Sequence, residues 1–95
     1  MNHQPESLGK VIEKMLDVFK LRAKVQEAQV VDAWGEIVGP MIEKRTRDVY
    51  IRHKKLYVKL DSPVVKQELM YMRSKIVERV NQHVGAEAIT DVVLL

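Results

Sequence analysis

Ninety-five residues, 46% apolar and 31% charged, suit one domain (residues 1–95) with a single modest core and exclude a second. No apolar run approaches the roughly 20 residues that cross a bilayer, and a chain without cysteine has neither disulfides nor thiolate ligands. The net charge of +3 is concentrated: residues 41–60 hold seven Lys or Arg against two Asp or Glu, a local +5, while the segments on either side each come to −1. The opening "MNHQPESLGKV" lacks the charged-then-apolar pattern of a secretory signal, so a cytoplasmic protein is expected.

Leu8, Val11, Ile12, Met15, Leu16 and Phe19 recur at offsets of three and four, which predicts a helix from about Pro5 to Leu21 with that stripe buried. Pro5 suits its first turn and Glu6 its positive end. The pattern resumes from Ala23 to Val38 with Val30, Val31, Trp34, Ile37 and Val38. The join at Leu21 to Lys24 contains neither glycine nor proline, so two helices or one long bent helix satisfy the same pattern. Gly39 can close the helix, and Pro40 can open a short turn through Lys44.

The period then changes from helical to two-residue. Val49 and Ile51 alternate with Tyr50 and Arg52, and Leu56, Val58 and Leu60 alternate with Tyr57 and Lys59, which predicts a hairpin with one buried face. His53, Lys54 and Lys55 are left for the turn, without the Asn-Gly or Asp-Gly pair of a tight primed turn. Ser62 and Pro63 mark a helix start. Val65, Leu69, Met72, Ile76 and Val80 form the buried stripe of one helix to about Val84, closed by Gly85. The tail "AITDVVLL" reads as a short strand suited to a sheet edge. The order is α-α-(short turn)-β-β-α-β, an α+β domain with helices packed on one face of a three-stranded sheet.

If Val49, Ile51, Leu56, Val58 and Leu60 face the helices, then Tyr50, Arg52, Tyr57 and Lys59 share the opposite face with Lys54 and Lys55 at its tip, and Arg45 and Arg47 extend the positive field. Rings interleaved with cations are what single-stranded nucleic acid uses, because bases stack on rings while Lys and Arg neutralise phosphates. The competing reading is a solvated face, since basic residues on exposed strands also block edge-to-edge aggregation.

Other chemistry finds little support in the sequence. His3, His53 and His83 lack the spacing of metal ligands, so no metal and no cofactor are expected. "GEIVG" at Gly35 to Gly39 lacks the Lys-Ser/Thr ending of a phosphate loop and reads as a helix end. Asp61 beside Ser62 belongs to helix capping, and Asp17, Asp32 and Glu36 fall on wet helix faces, which leaves no candidate enzyme site. Trp34, the single tryptophan, is expected as a core anchor.

The strings "VVDAWGEIVGPMIEKRT" at 30–46 and "LYVKLDSPVVKQELMYMRSKIVERVNQHVGAEAITDVVLL" at 56–95 together resemble the DciA-like family. The resemblance rests on the tryptophan followed by Ile-Val-Gly, the threonine before the first strand, the Leu-x-Val strand leading to Ser and then Glu-Leu, and the late Asn before a Gly and a final strand. It implies a fold like a type II KH domain and a role in bacterial DNA replication, with DNA and the replicative helicase as partners. Such members often carry a flexible extension beyond the folded domain, and contacts carried by it are expected to have no counterpart in residues 1–95. The Gly-x-x-Gly loop by which typical KH domains grip nucleic acid is absent.

Two functions of different class follow as expectations. The first is a non-enzymatic accessory domain that binds single-stranded or forked DNA through Arg45, Arg47, Tyr50, Arg52, Lys54, Lys55, Tyr57 and Lys59, with RNA left open because nothing marks a 2′-hydroxyl contact. The second is an adaptor that docks on the helicase or another protein and touches nucleic acid little. The sequence leaves oligomeric state open.

Overall fold

The computed structural model describes residues 7–95 and places three strands and four helices among them. Helix α1 runs unbroken over Leu8–Val38. Leu21, Arg22, Ala23 and Lys24 are all fair to good helix formers, so nothing interrupts the backbone ladder between the two predicted helices, and the single-helix alternative is the one observed. Ser7 caps the start by accepting from the Lys10 N–H at 3.2 Å. Gly39 ends it at φ 92°, ψ 166°, a backbone region that L side chains avoid, and donates its N–H to the Gly35 carbonyl at 2.8 Å. Pro5 and Glu6, assigned to the first turn, lie outside the described residues.

Pro40 then opens α2 (Pro40–Lys44), and the chain enters β1 (Thr46–Arg52) and β2 (Lys55–Leu60). Two helices, α3 (Pro63–Met70) and α4 (Arg73–Val84), precede β3 (Asp91–Leu94). The sheet order is β1-β2-β3, with β1 antiparallel and β3 parallel to the central strand. The protein is therefore an α+β domain with a three-stranded mixed sheet and helices packed against it.

The single long helix predicted after Ser62 is broken at Tyr71–Met72. Ser62 caps α3 as expected, accepting from the Val65 N–H at 3.3 Å. At the break the Met72 N–H donates to the Leu69 carbonyl at 2.9 Å, a tightened last turn. The break carries Arg73 to β3, where its Nε donates to the Val92 carbonyl at 3.1 Å and its Nη2 to both Asp91 carboxylate oxygens at 2.7 Å. Met72, assigned to the buried stripe, is consequently exposed, while Leu69 and Ile76 on either side reach the core. No glycine or proline marks this break, so local propensity gives way to tertiary contacts.

The core gathers Val30 and Trp34 of α1, Leu56 and Val58 of β2, Leu69 of α3, Ile76 and Val80 of α4, Val92 of β3, and Ala88 and Ile89 before it. Trp34 is a core anchor with a polar tether. Its Nε1–H donates to Thr46 Oγ1 at 3.1 Å, and that hydroxyl donates to the Ile42 carbonyl at 2.8 Å, joining α1, α2 and β1. The buried part of α1 begins only at about Gln26. Leu8, Val11, Ile12, Met15, Leu16 and Phe19, expected to be buried, are all exposed, because the small sheet is covered by α3, α4 and the second half of α1 and leaves nothing for the first half to pack on. The molecule is accordingly elongated, 67 × 20 × 19 Å.

Asn81 fixes the approach to β3. Its Oδ1 accepts from the Ala88 and Ile89 N–H groups at 3.0 and 3.1 Å, and its Nδ2 donates to the Ile89 carbonyl at 2.8 Å. Gly85 makes this possible by closing α4 in the left-handed conformation, φ 71°. Asn81→Ala strands two backbone donors beside the buried Ile89, so a loss of about 2 kcal/mol is expected. It is checked by urea denaturation and by faster hydrogen exchange at Ala88 and Ile89.

Candidate nucleic-acid interface

The pleat of the hairpin sorts its side chains. Val49 faces Val58 and Ile51 faces Leu56 across the strands, and these pairs lie on the core side. Tyr50 faces Tyr57 and Arg52 faces Lys55, and these pairs lie on the other. Lys59, two residues beyond Tyr57, shares that outer face and stands across from Asp48. In the parallel register Lys55 and Tyr57 neighbour Asp91 and Val93 of β3.

The two tyrosines stack on each other, with ring centroids 5.0 Å apart and planes 5° from parallel, and the Arg52 guanidinium lies 5.5 Å from the Tyr50 centroid. Both rings are half-buried. This cross-strand ladder stiffens the face. It also commits ring surface that was expected to be free for bases, so cations dominate what the face can offer a ligand.

The turn is two residues, His53 and Lys54, both in the left-handed region at φ 51° and 61°. That is the arrangement of a type I′ turn, built without the usual glycine. Lys55, assigned to the tip, is instead the first residue of β2, paired with Arg52. Thr90 holds the turn from below, its N–H donating to the Lys54 carbonyl at 2.7 Å and its hydroxyl to the same oxygen at 3.3 Å. Because two non-glycine residues occupy a conformation that costs each about 1 kcal/mol or more, His53→Asn with Lys54→Gly is expected to stabilise the domain by about 1 kcal/mol. A higher urea midpoint at unchanged slope checks this.

Not all the predicted cations stand alike. Arg47 pairs with the Asp61 carboxylate and lines a recess beside Trp34 and Val31 of α1. Its charge is thereby largely offset. Lys55 adjoins Asp91, whose carboxyl is held below its ordinary range chiefly by the Arg73 hydrogen bonds, then by the Val92 N–H and by the charges of Arg73 and Lys55. Arg45 is exposed at the end of α2, and its carbonyl accepts from the Asp61 N–H at 2.9 Å. Arg52, Lys54 and Lys59 are exposed. The structure therefore brings Tyr50, Arg52, Lys55, Tyr57 and Lys59 onto one face, sets Lys54 at its tip, and ties Arg47 to Asp61. The contributions of Arg73, Asp91 and Thr90 were not foreseen, since a parallel strand pairing leaves no local signal linking residues 54 and 90.

Among the described residues no three His, Asp or Glu gather into a metal-binding group, and no helix is long and apolar enough to cross a membrane. His53 stands in the exposed turn, and His83 of α4 lies 3.9 Å from Glu36 of α1.

Residues 7–94 match the sequence model of one family, described as "Dna[CI] antecedent, DciA". The chain belongs to the DciA family. It is also 31% identical over 86 residues to a UPF0232 protein of Corynebacterium glutamicum (strain R), covering 90% of this chain and 48% of that one. The chain thus spans about half the length of the curated relative it matches. The strings that carry the DciA resemblance acquire structural meaning here. The tryptophan and the threonine, which the structure makes the first residue of β1, are the two ends of the Trp34–Thr46 tether, and the late asparagine is the Asn81 clamp.

Proposed function

We propose that this DciA-family domain is a non-enzymatic accessory factor of bacterial DNA replication that binds single-stranded or forked DNA on the outer face of its hairpin and assists the replicative helicase. The observation that carries the reading is the outer face itself: Arg52, Lys54, Lys55 and Lys59 arranged around a stacked tyrosine pair, on the side of the sheet away from the core. Phosphates are held by the cations, with Arg45 extending the field. The exposed remainder of the Tyr50 and Tyr57 rings supplies weaker contact to a base. Contacts of this kind neutralise charge without reading base edges, so binding is weakly selective for sequence and strongly salt-dependent. The three-stranded mixed sheet is in keeping with the KH-like type II fold of the family resemblance, although the grip here is on the strands and not at a Gly-x-x-Gly loop.

The reading is tested by anisotropy titration of a labelled single-stranded oligonucleotide at low salt. Saturable binding is expected, and its absence would contradict the proposal.

An adaptor that docks on the helicase is the second reading. It is favoured by an apolar recess of about 200 Å³ between α1 and α4, lined by Ile37, Ile42, Leu69 and Met72 with Lys75 and Arg79 also at its wall. If the domain retains the helicase while failing to bind the oligonucleotide, this reading replaces the first.

A further inference from the structure

The two edges of the sheet are finished differently. Leu95 bonds to β2 on both sides, its N–H donating to the Val58 carbonyl at 2.8 Å and its carbonyl accepting from the Leu60 N–H at 3.2 Å. Val92, an odd number of positions before it, therefore turns its own backbone groups to the free side of β3. Side chains cap both of them. The Val92 N–H donates to Asp91 Oδ1 at 2.8 Å, and the Val92 carbonyl accepts from Arg73 Nε at 3.1 Å. An edge closed by charged side chains in this way resists the addition of another strand.

The edge of β1 has no such cover. The two-residue turn closes on a hydrogen-bonded Arg52–Lys55 pair, so Tyr50–Tyr57 and Asp48–Lys59 are the bonded pairs below it, and Val49 and Ile51 direct their N–H and C=O groups outward. None of these outward groups finds a partner among the described residues. Only Arg47, where the register shifts between Thr46 and Asp48, blunts the start of the strand.

The chemistry along this edge fits a second copy of itself. An antiparallel pairing with two-fold symmetry can set Val49 on Val49, Ile51 on Ile51, or Val49 on Ile51. The first brings Ile51 to the bulged Arg47, and the second brings Val49 to His53, in the turn at φ 51°. The third keeps every bonding residue within regular strand. It also sets Tyr50 on Tyr50 at the two-fold axis and Asp48 on Arg52 to either side of it, at the non-hydrogen-bonded positions where facing side chains stand closest. Asp48 and Arg52 are both exposed, and neither has an ion pair among the described residues of the single chain.

We propose that β1 pairs antiparallel with β1 of a second copy, Val49 against Ile51 and Asp48 against Arg52, so that the two three-stranded sheets become one. One strand on one strand is a small contact, so the dimer is reversible and forms as concentration rises. The outer faces of both hairpins then lie side by side in the joined sheet, and the pairing does not depend on what that face binds.

Sedimentation of the chain over a range of concentrations, up to those used for NMR, tests this. The mass is expected to rise from 11.0 kDa toward twice that value, and amide exchange at Val49 and Ile51 is expected to slow in step. Asp48→Arg and Arg52→Asp are each expected to weaken the dimer about tenfold, by replacing two exposed ion pairs with two repulsive contacts, and the double exchange is expected to restore it. Both positions are exposed, so the single chain keeps its fold, which circular dichroism verifies. Because the chain has no cysteine, single replacements report the register. Tyr50→Cys, on the two-fold axis, is expected to cross-link to its own copy on oxidation, and Arg52→Cys, displaced along the strand from its copy, is not. A chain that stays monomeric at NMR concentrations would overturn the proposal, and so would a dimer whose Val49 and Ile51 amides exchange as fast as in the monomer. A dimer that cross-links through Arg52→Cys, or that the double exchange fails to restore, would overturn the register.

Discussion

Lys54→Glu combined with Lys55→Glu is expected to weaken single-strand binding more than tenfold at physiological salt while leaving the fold intact. Each phosphate contact to a single strand contributes a slope of about 0.7 in log K against log salt, which is roughly fourfold in affinity at about 0.15 M. Two lost contacts multiply to more than tenfold, and the reversed charges add repulsion from neighbouring phosphates. The two positions are not equivalent. Lys54 stands at the turn, whereas Lys55 adjoins Asp91, so Lys54→Glu alone is expected to have the larger effect on affinity. Anisotropy titrations of the two single variants, with far-UV circular dichroism to verify folding, check the order.

Trp34→Ala is expected to bring the domain close to unfolding. The side chain is 2% exposed at the centre of a small core, and truncating a buried aromatic to alanine costs about 3–5 kcal/mol. A domain of this size has a total stability on the order of 5–15 kcal/mol. Thr46→Val separates the two parts of the loss. It keeps the volume but leaves the indole N–H without its 3.1 Å acceptor, which costs about 1–3 kcal/mol. Urea denaturation followed by circular dichroism measures both, with Trp34→Ala lowering the midpoint by about 1 M or more. A Trp34→Ala midpoint no lower than that of Thr46→Val would show that the indole contributes mainly its tether.

Where local chemistry and tertiary packing agree, the fold could be read from the residues. The alternation of Val49, Tyr50, Ile51 and Arg52, the Ser62-Pro63 start and the Gly85 stop all carry their reasons within a few positions, and each appears where expected. The residues expected in the core and found exposed share one cause. Periodicity reports that a helix has an apolar face, not that anything will meet it. Met72 and the stripe from Leu8 to Phe19 have the spacing of core residues and stay exposed.

The hairpin site divides in the same way. Its outer face follows from the two-residue period, so Tyr50, Arg52, Tyr57 and Lys59 could be grouped in advance. What decides the strength of each cation could not, because it depends on residues distant in sequence: Asp61 on Arg47, and Asp91 with Arg73 beside Lys55. The stacking of Tyr50 on Tyr57 needed the exact cross-strand register, which the turn residues alone did not define.

The salt dependence of single-strand affinity, measured on the wild-type domain and the Lys54→Glu, Lys55→Glu variant together, tests the hairpin as a phosphate-binding surface most directly. Log affinity should fall linearly with log salt, and the slope should be shallower by about 1.4 in the variant, the share of two phosphate contacts at about 0.7 each. Wild-type and variant slopes that coincide, or an affinity indifferent to salt, would contradict it and return the basic face to solvent or to a protein partner.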